Sequence, residues 1–269
     1  MTSHPVSAPA TVVYEVTVRG HLDDHWSDRL GGFGITRAAD GTSTLAGTAD
    51  QAQLHGVLMG LRDVGAELLR LDTVDPADRV SALSRPLHTD RLTLRPATIA
   101  DVETTWNYRR LDAVNEWLTG CPDTLDGYRD LFIRPDRLAT TVMVELHDGT
   151  TVGDFMFRRH DAWAQTAVAK QAAGRQVELG WVLDPAHTGR GYATEAVREL
   201  LRHGFEDLGV HRVTADCFAA NEGSWRLMER LGMRREAHTR RDALHRTGKW
   251  LDSLSYALLA DEWPVKPRP

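Results

Sequence analysis

The feature that most constrains this fold is segment 177–208, in which a strand runs through a glycine-containing turn directly into a helix. Residues 177–183 alternate in the period-2 manner of a β-strand, and apolar residues recur at helical spacing over 191–208. Between them lie Gly189 and Gly191. A strand, a glycine turn and a helix in this order are typical of α/β folds, so we expect an α/β (α+β) protein.

The junction between this turn and the helix predicts an anion-binding site. The first amides of a helix have no partner within the helix and carry the positive end of its dipole. Glycines allow the backbone to approach a phosphate closely. Because Gly189-Arg190-Gly191 is followed by Tyr192-Ala193-Thr194, the GxGxxG dinucleotide pattern is absent, and so is the GK[ST] ending of a P-loop.

A resemblance to a known family narrows the ligand. The run Asp184–Ala196 resembles motif A of the GNAT acetyltransferases, which holds the pyrophosphate of coenzyme A, and Asn221–Met233 resembles motif B. The runs 89–96 and 248–252 are similar to the RimJ/RimL branch, which acetylates protein N-terminal amines. The resemblance implies a GNAT fold with a central, mixed, splayed sheet over residues 88–264.

The resemblance also implies acetyl-CoA as the cofactor. The backbone groups of Val182 and Leu183 are expected to form hydrogen bonds with the pantetheine of the coenzyme. The backbone amides of the glycine turn are expected to bind its pyrophosphate. Thr188 stands where the family usually has Gln or Arg, so we expect weaker side-chain support and retained backbone binding. The implied cofactor residues are Val182, Leu183, Thr188, Gly189, Arg190, Gly191, Tyr192, Ala193, Thr194, Asn221 and Ser224.

The family reaction is direct attack of a neutral amine on the thioester, which requires a base and a proton donor. Glu178 faces away from the apolar side of its strand and is the candidate base; the alternative is an ion-paired or solvated glutamate. Met228 stands where many members have a tyrosine, and a thioether donates no proton. The resemblance to the RimJ/RimL branch implies that a motif B serine, here Ser224, is the donor to the thiolate, and the alternative for Ser224 and Asn221 is helix capping.

The acceptor is expected to be a primary amine, either a protein N-terminus or a small molecule. Trp250 and Asp252 lie on a closing strand where the acceptor would enter, and Asp252 could hold its ammonium group; the alternative is a structural ion pair. A second function remains open, namely a regulatory protein that binds coenzyme A without turnover, and Met228 favours it. Consumption of acetyl-CoA distinguishes the two.

The region before this domain predicts a small ferredoxin-like βαββαβ domain at 11–74. Its role is open among substrate presentation, formation of a homodimer and ligand binding. We expect residues 1–10 and 265–269 to be a disordered N-terminus and a tail, and 75–87 to be a linker. The expected elements are strands at 12–18, 33–37, 43–47 and 67–71 and helices at 23–30 and 50–64.

Composition excludes several classes of partner. The formal net charge of -6 disfavours nucleic acid, whose phosphates require a clustered basic face. No apolar run is long enough to span a bilayer and residues 1–10 lack a signal-peptide layout, so we expect a cytoplasmic protein with no membrane partner. Cys121 and Cys217 form no CxxC pattern, so we expect no metal site.

Overall fold

The computed structural model describes residues 12–23, 26, 30, 32–38, 41–74, 83–120 and 122–263. The chain divides into two compact units, Met1–Arg79 and Val80–Pro269. The predicted disordered start at 1–10, the tail at 265–269 and Cys121 lie outside the described residues. The predicted linker, 75–87, overlaps the second unit, because Leu83 is buried in its core.

The first unit contains one antiparallel sheet with strand order β2-β3-β1-β4. Helix α1 begins at Asp50, whose side chain accepts from the backbone of Gln53, and it buries Leu54, Val57 and Leu61. The predicted first helix, 23–30, falls largely outside the described residues. The elements are β1 (Val12–Arg19), β2 (Gly34–Arg37), β3 (Thr42–Ala49), α1 (Gln51–Asp63) and β4 (Glu67–Val74).

The second unit is built on an eight-stranded mixed sheet with the order β11-β12-β10-β9-β8-β7-β6-β5. Its strands are β5 (Leu87–His88), β6 (Leu92–Pro96), β7 (Thr141–Leu146), β8 (Thr151–His160), β9 (Gln176–Leu183), β10 (Arg212–Phe218), β11 (Arg234–Leu244) and β12 (Trp250–Leu259). Its helices are α2 (Val102–Arg109), α3 (Asp112–Asn115), α4 (Leu125–Phe132), α5 (Pro135–Thr140), α6 (Ala169–Ala172), α7 (Tyr192–Arg202) and α8 (Glu222–Arg230).

Helix α7 is amphipathic and packs its apolar stripe on the sheet. Its residues Ala196, Val197, Leu200 and Leu201 are all buried. The predicted helix continues beyond α7, but as one π-helical turn over His203–Asp207 instead of α-helix. The helical segment therefore extends to the predicted end. Its first turn lines the same cleft as the second half of β9.

The parallel strands β9 and β10 pair over only three positions and then separate. Arg212, Val213 and Thr214 lie opposite Gln176, Val177 and Glu178, and no later residues of these two strands are paired with each other. The unpaired halves, 179–183 and 215–218, diverge toward the starts of α7 and α8. This divergence confirms the predicted splayed sheet and creates the space for a ligand.

Candidate active site

A cleft of about 1120 Å³ opens where β9 and β10 separate. Its walls include the second halves of both strands. The starts of α7 and α8 and residues of α2, α3 and α5 complete the walls. All of these walls belong to the second unit.

The glycine turn leaves the start of α7 uncapped. Gly189 and Gly191 have φ angles of +73° and +80°, in the left-handed region that favours glycine. Gly191 is the N-cap of α7 and provides no side chain to its first amides, whereas Asp50, Thr124 and Asn221 cap α1, α4 and α8. Uncapped amides at the positive end of a helix dipole, facing a cleft, fit a phosphate group.

Polar groups beside this turn also fit a ligand. His187 lines the cleft, and its buried Nδ1 atom has no hydrogen-bond partner among the described residues. Arg230 Nη1 donates to Thr194 Oγ1 at 3.2 Å and places a guanidinium at the same end of the cleft. An orphaned ring nitrogen and a cation at the helix start are what an anionic, hydrogen-bonding ligand would satisfy.

Glu195 holds the turn against the start of β6. Its carboxylate accepts from Thr89 Oγ1 at 2.6 Å, from the Arg91 backbone at 3.0 Å and from Arg91 Nε at 2.7 Å. Arg91 Nη1 also donates to the Arg190 carbonyl at 3.1 Å, and its guanidinium lies 4.7 Å from the Tyr192 ring centre. Burial raises the pKa of Glu195, but these hydrogen bonds outweigh burial and lower that pKa below its ordinary value.

The start of α8 brings a hydroxyl and a thiol to the cleft. The Asn221 side chain accepts from the Ser224 backbone at 3.2 Å and is the cap of α8, so the Ser224 hydroxyl is not used for capping. Ser224 and Cys217 both line the cleft. Burial raises the pKa of the Cys217 thiol to about 11, and a hydrogen bond with Ser224 partly opposes that shift.

Another part of the cleft wall contains a buried ion pair, whose Asp154 lies on β8 opposite Val182. Arg109 donates to Asp154 through Nε at 2.8 Å and Nη2 at 2.5 Å, and Tyr108 donates to the same carboxylate at 2.7 Å. Burial first, and then the charge of Asp154, raise the pKa of Tyr108 well above its ordinary value. Arg137 lies nearby in the cleft wall. Arg109, Asp154 and Arg137 thus bring two guanidinium groups and one engaged carboxylate to this part of the wall, which we call the polar end.

Loop 244–249 is tied to the segment that follows α3. His245 is buried and contacts the Glu116 carbonyl through Nε2 at 2.9 Å and Thr247 Oγ1 through Nδ1 at 2.9 Å. Arg246 Nη2 donates to the Leu118 carbonyl at 3.0 Å. These contacts hold segment 117–120, which lines the cleft.

Comparison with known families is consistent with this geometry. Residues 91–234, which are more than half of the chain, match the family described as the acetyltransferase (GNAT) domain. The chain belongs to the GNAT family of acetyltransferases. Residues 13–72 match a domain of unknown function, DUF8691, and this match covers most of the first unit of the GNAT protein.

Relatives of this GNAT protein include two Bacillus proteins that are named as uncharacterized N-acetyltransferases. YnaD of Bacillus subtilis is 38% identical over 86 residues, which are 32% of this chain and 50% of YnaD. The chain thus spans half the length of that relative. The p20 protein of Bacillus licheniformis is 27% identical over 66% of this chain and 97% of its own length.

Solved structures share the fold of the second unit. A GNAT-family acetyltransferase from Bacillus anthracis is 29% identical with a TM-score of 0.57, over 66% of this chain and 99% of its own. Mycobacterium smegmatis RimJ, solved with CoA-disulfide, is 24% identical with a TM-score of 0.53, over 64% and 84% of the two chains. The predicted GNAT fold is therefore confirmed.

Most of the predicted cofactor residues of the GNAT domain lie together. Arg190 does not line the cleft: its side chain is exposed, and its carbonyl accepts from Arg91. Met228, in the position of the family tyrosine, is fully buried in the core. The predicted residues that line the cleft are Val182, Leu183, Thr188, Gly189, Gly191, Tyr192, Ala193, Thr194, Asn221 and Ser224.

Glu178 lies outside the cleft of the GNAT domain. It is the last residue of β9 that pairs with β10, and its carboxylate forms an ion pair with Arg158 on β8. The cleft is lined from Leu179 onward. The ion-paired alternative from the sequence is therefore the arrangement that the structure contains.

Trp250 and Asp252 also lie outside the cleft. Asp252 bonds to His238 Nε2 at 3.0 Å and accepts from the Arg241 backbone at 3.0 Å. Arg241 has a φ of +49°, so Asp252 supports the irregular pairing of β11 with β12. The Trp250 side chain is exposed. The structure therefore gives Asp252 a structural partner and does not bring these two residues to the site.

Sequence reasoning missed the residues of the polar end. Arg109, Asp154 and Arg137 are far apart in the chain and belong to α2, β8 and α5.

Within the described residues there is no group of three His, Cys, Asp or Glu side chains that could hold a metal ion. No helix among them is long and apolar enough to cross a membrane.

Proposed function

We propose that this protein transfers an acetyl group from acetyl-CoA to a primary amine. The observation that carries the proposal is the uncapped start of α7, with two left-handed glycines, at one end of a cleft between diverging parallel strands. The amides of the first α7 turn and Arg230 would hold the phosphates of the coenzyme. The free edges of Val182 and Leu183 would pair with its pantetheine.

The bound coenzyme supplies an activated acetyl group as a thioester. The amine must lose its proton before it can attack, and the departing sulfur must be protonated. Ser224 is proposed as the donor, because its hydroxyl is free of the capping role and lies in the cleft beside Cys217. A regulatory protein that binds coenzyme A without turnover is the second candidate function. It is favoured by Met228, which stands where many family members have a tyrosine and which cannot donate a proton.

The identity of the base is proposed between two carboxylates. Glu178 would have to act through water and open its ion pair with Arg158, whereas Asp216 is exposed and lines the cleft. Glu178→Gln and Asp216→Asn are to be compared by the pH dependence of kcat/KM. We expect the acidic limb of the profile to change in one of them, and a profile unchanged in both would exclude direct carboxylate catalysis.

The direct test is a mass-spectrometric screen for transfer of one acetyl group to peptide N-termini and small amines. We expect at least one amine to be acetylated with consumption of acetyl-CoA. Binding of the coenzyme without turnover of any amine would favour the regulatory function. Absence of binding would contradict both.

Ser224→Ala tests the proposed proton donor. General acid catalysis contributes about 10²–10⁴-fold, so we expect kcat to fall by about that factor while the Kd for coenzyme A changes little. Thr124→Ala is the matched control, because Thr124 caps α4 outside the cleft and loss of a cap lowers stability by about 1 kcal/mol. If Ser224→Ala lowered only the melting temperature, as a capping residue would, its catalytic role would be rejected.

A further inference from the structure

Arg137 lies in the wall of the cleft, where it has a hydrogen bond with the neutral Tyr128 and no ion-pair partner among the described residues. It lies on α5, its side chain is half buried, and its Nε atom is buried without a hydrogen-bond partner. Within the described part of the chain it forms no ion pair with a carboxylate, whereas Arg91, Arg95 and Arg109 each do. A guanidinium in this position has lost water without gaining an anion.

The surrounding charges do not compensate Arg137. Its charged neighbours in the cleft wall are Arg109 and Asp154, which neutralise each other through two hydrogen bonds. Tyr128 has a hydrogen bond with Arg137 but brings no negative charge to it, since burial raises the pKa of Tyr128 to about 12. Burial, followed by the positive charge of Arg109, lowers the pKa of Arg137 below its ordinary value. The polar end therefore carries one net positive charge.

An uncompensated, partly desolvated charge destabilises the free protein, and a ligand of opposite charge removes that penalty. The planar guanidinium fork matches a carboxylate in a two-point arrangement. A polyamine would bring further positive charge to Arg137 and Arg109. The electrostatics of this end therefore select against a polycationic acceptor.

We propose that Arg137 binds a carboxylate of the acceptor, so that the acceptor is an amine that also carries a carboxylate. This inference rests on the proposed acetyl transfer, because it places the acceptor at the polar end of the cleft. The carboxylate has two chemical sources. It is either the carboxylate of a free amino acid or the acidic side chain of the first residue of a peptide. Both present an amine and a carboxylate within one residue.

The test uses acceptors in matched pairs. Free amino acids are compared with their amides, and peptides that begin with Asp or Glu with those that begin with Asn or Gln; spermidine represents the polyamines. The variants are Arg137→Gln and Arg137→Lys, and the control is Arg110→Gln, an exposed arginine that does not line the cleft. The quantity measured is the ratio of kcat/KM for acid over amide.

We expect the wild type to prefer the acid by about tenfold or more, the range of one charge-assisted hydrogen-bonded pair. Arg137→Gln should abolish this preference mainly through KM and leave the amide rates within about twofold. Arg137→Lys should retain part of it, and Arg110→Gln all of it. The source of the carboxylate is identified by the pair of substrates, free amino acids or peptides, that shows this preference. Equal rates for acids and amides, or a preference unchanged in Arg137→Gln, would overturn the inference.

A binding measurement separates this inference from acetyl transfer itself. Protein saturated with coenzyme A is titrated with an N-acetyl amino acid and with its amide, and the melting temperature is followed. We expect only the acid to raise it, and only when Arg137 is present. Without ligand, Arg137→Gln should melt no lower than the wild type. If neither compound stabilises the wild type, or both stabilise Arg137→Gln equally, the carboxylate site does not exist.

Discussion

Gly191 has a left-handed backbone conformation at the N-cap of α7, which few other residues could adopt. It has a φ of +80° at the N-cap of α7, and a Cβ there would lie 3.6 Å from Arg91 Nη2. The space would admit a methyl group, so the constraint comes mainly from the backbone angle. A change at this residue should therefore act by altering the turn that presents the first amides of the helix.

We predict that Gly191→Ala weakens coenzyme binding. Placing an L-residue in the left-handed region costs about 1–2 kcal/mol, which the protein relieves by distorting the turn. Calorimetry should then show a Kd for coenzyme A raised by about 5- to 30-fold. Gly209→Ala is the matched control, because Gly209 has a φ of +61° at the end of the helical segment and does not line the cleft. Equal effects of both changes on Kd would assign the loss to general destabilisation.

Glu195 predicts a pH dependence of stability. Its pKa is lower in the folded protein than in the unfolded chain, so its stabilising effect is complete above the unfolded value. The effect is lost as pH falls through the folded value. We expect Glu195→Gln to lower the free energy of unfolding by about 1–2 kcal/mol at about pH 7 and by progressively less as the pH falls through the folded pKa of Glu195. Urea unfolding at each pH measures the difference in the free energy of unfolding between the two proteins. A difference that does not vary with pH would contradict the stabilising role of the Glu195 carboxylate.

At the scale of elements, the diverging halves of β9 and β10 determine what the cleft can hold. Only the first three positions pair, so the backbone edges beyond Glu178 and Thr214 are left facing the cleft. An extended ligand can lie between the strands, and Cys217 and Val182 line that space. The reactivity of the thiol therefore reports on occupancy of the gap.

We predict that alkylation of Cys217 is slow at neutral pH and accelerates up to its raised pKa of about 11. Bound coenzyme A should slow it further by covering the thiol. Mass spectrometry of the Cys217 peptide after iodoacetamide treatment, in a Cys121→Ser background, gives the rate. Rapid labelling at pH 7, or a rate that is indifferent to coenzyme A, would contradict this placement.

The sequence predicts elements well where the pattern is local. The β9, glycine turn and α7 sequence follows from alternation, two glycines and an apolar stripe. Helix α4 is harder to recognise, because it has only eight residues. The strand face of Glu178 makes it a candidate base, and only the tertiary pairing shows its ion-pair partner, Arg158.

At the scale of the molecule, the two units have separate hydrophobic cores. Leu83 belongs to the core of the second unit, so a truncation has to keep it. We predict that residues 80–269 fold alone and bind coenzyme A with a Kd within about twofold of the full chain, since every residue of the cleft is retained. Loss of folding or of binding in this fragment would show that the first unit supports the site.

The central claim is that the uncapped α7 start and the diverging strands form the coenzyme site. Hydrogen–deuterium exchange of the full chain with and without coenzyme A tests it most directly. We predict slower exchange of the amides of 189–195 and 181–183 on binding, with no change in β1, β3 and α1 of the first unit. Protection confined to other segments, or none at saturating coenzyme A, would contradict the account.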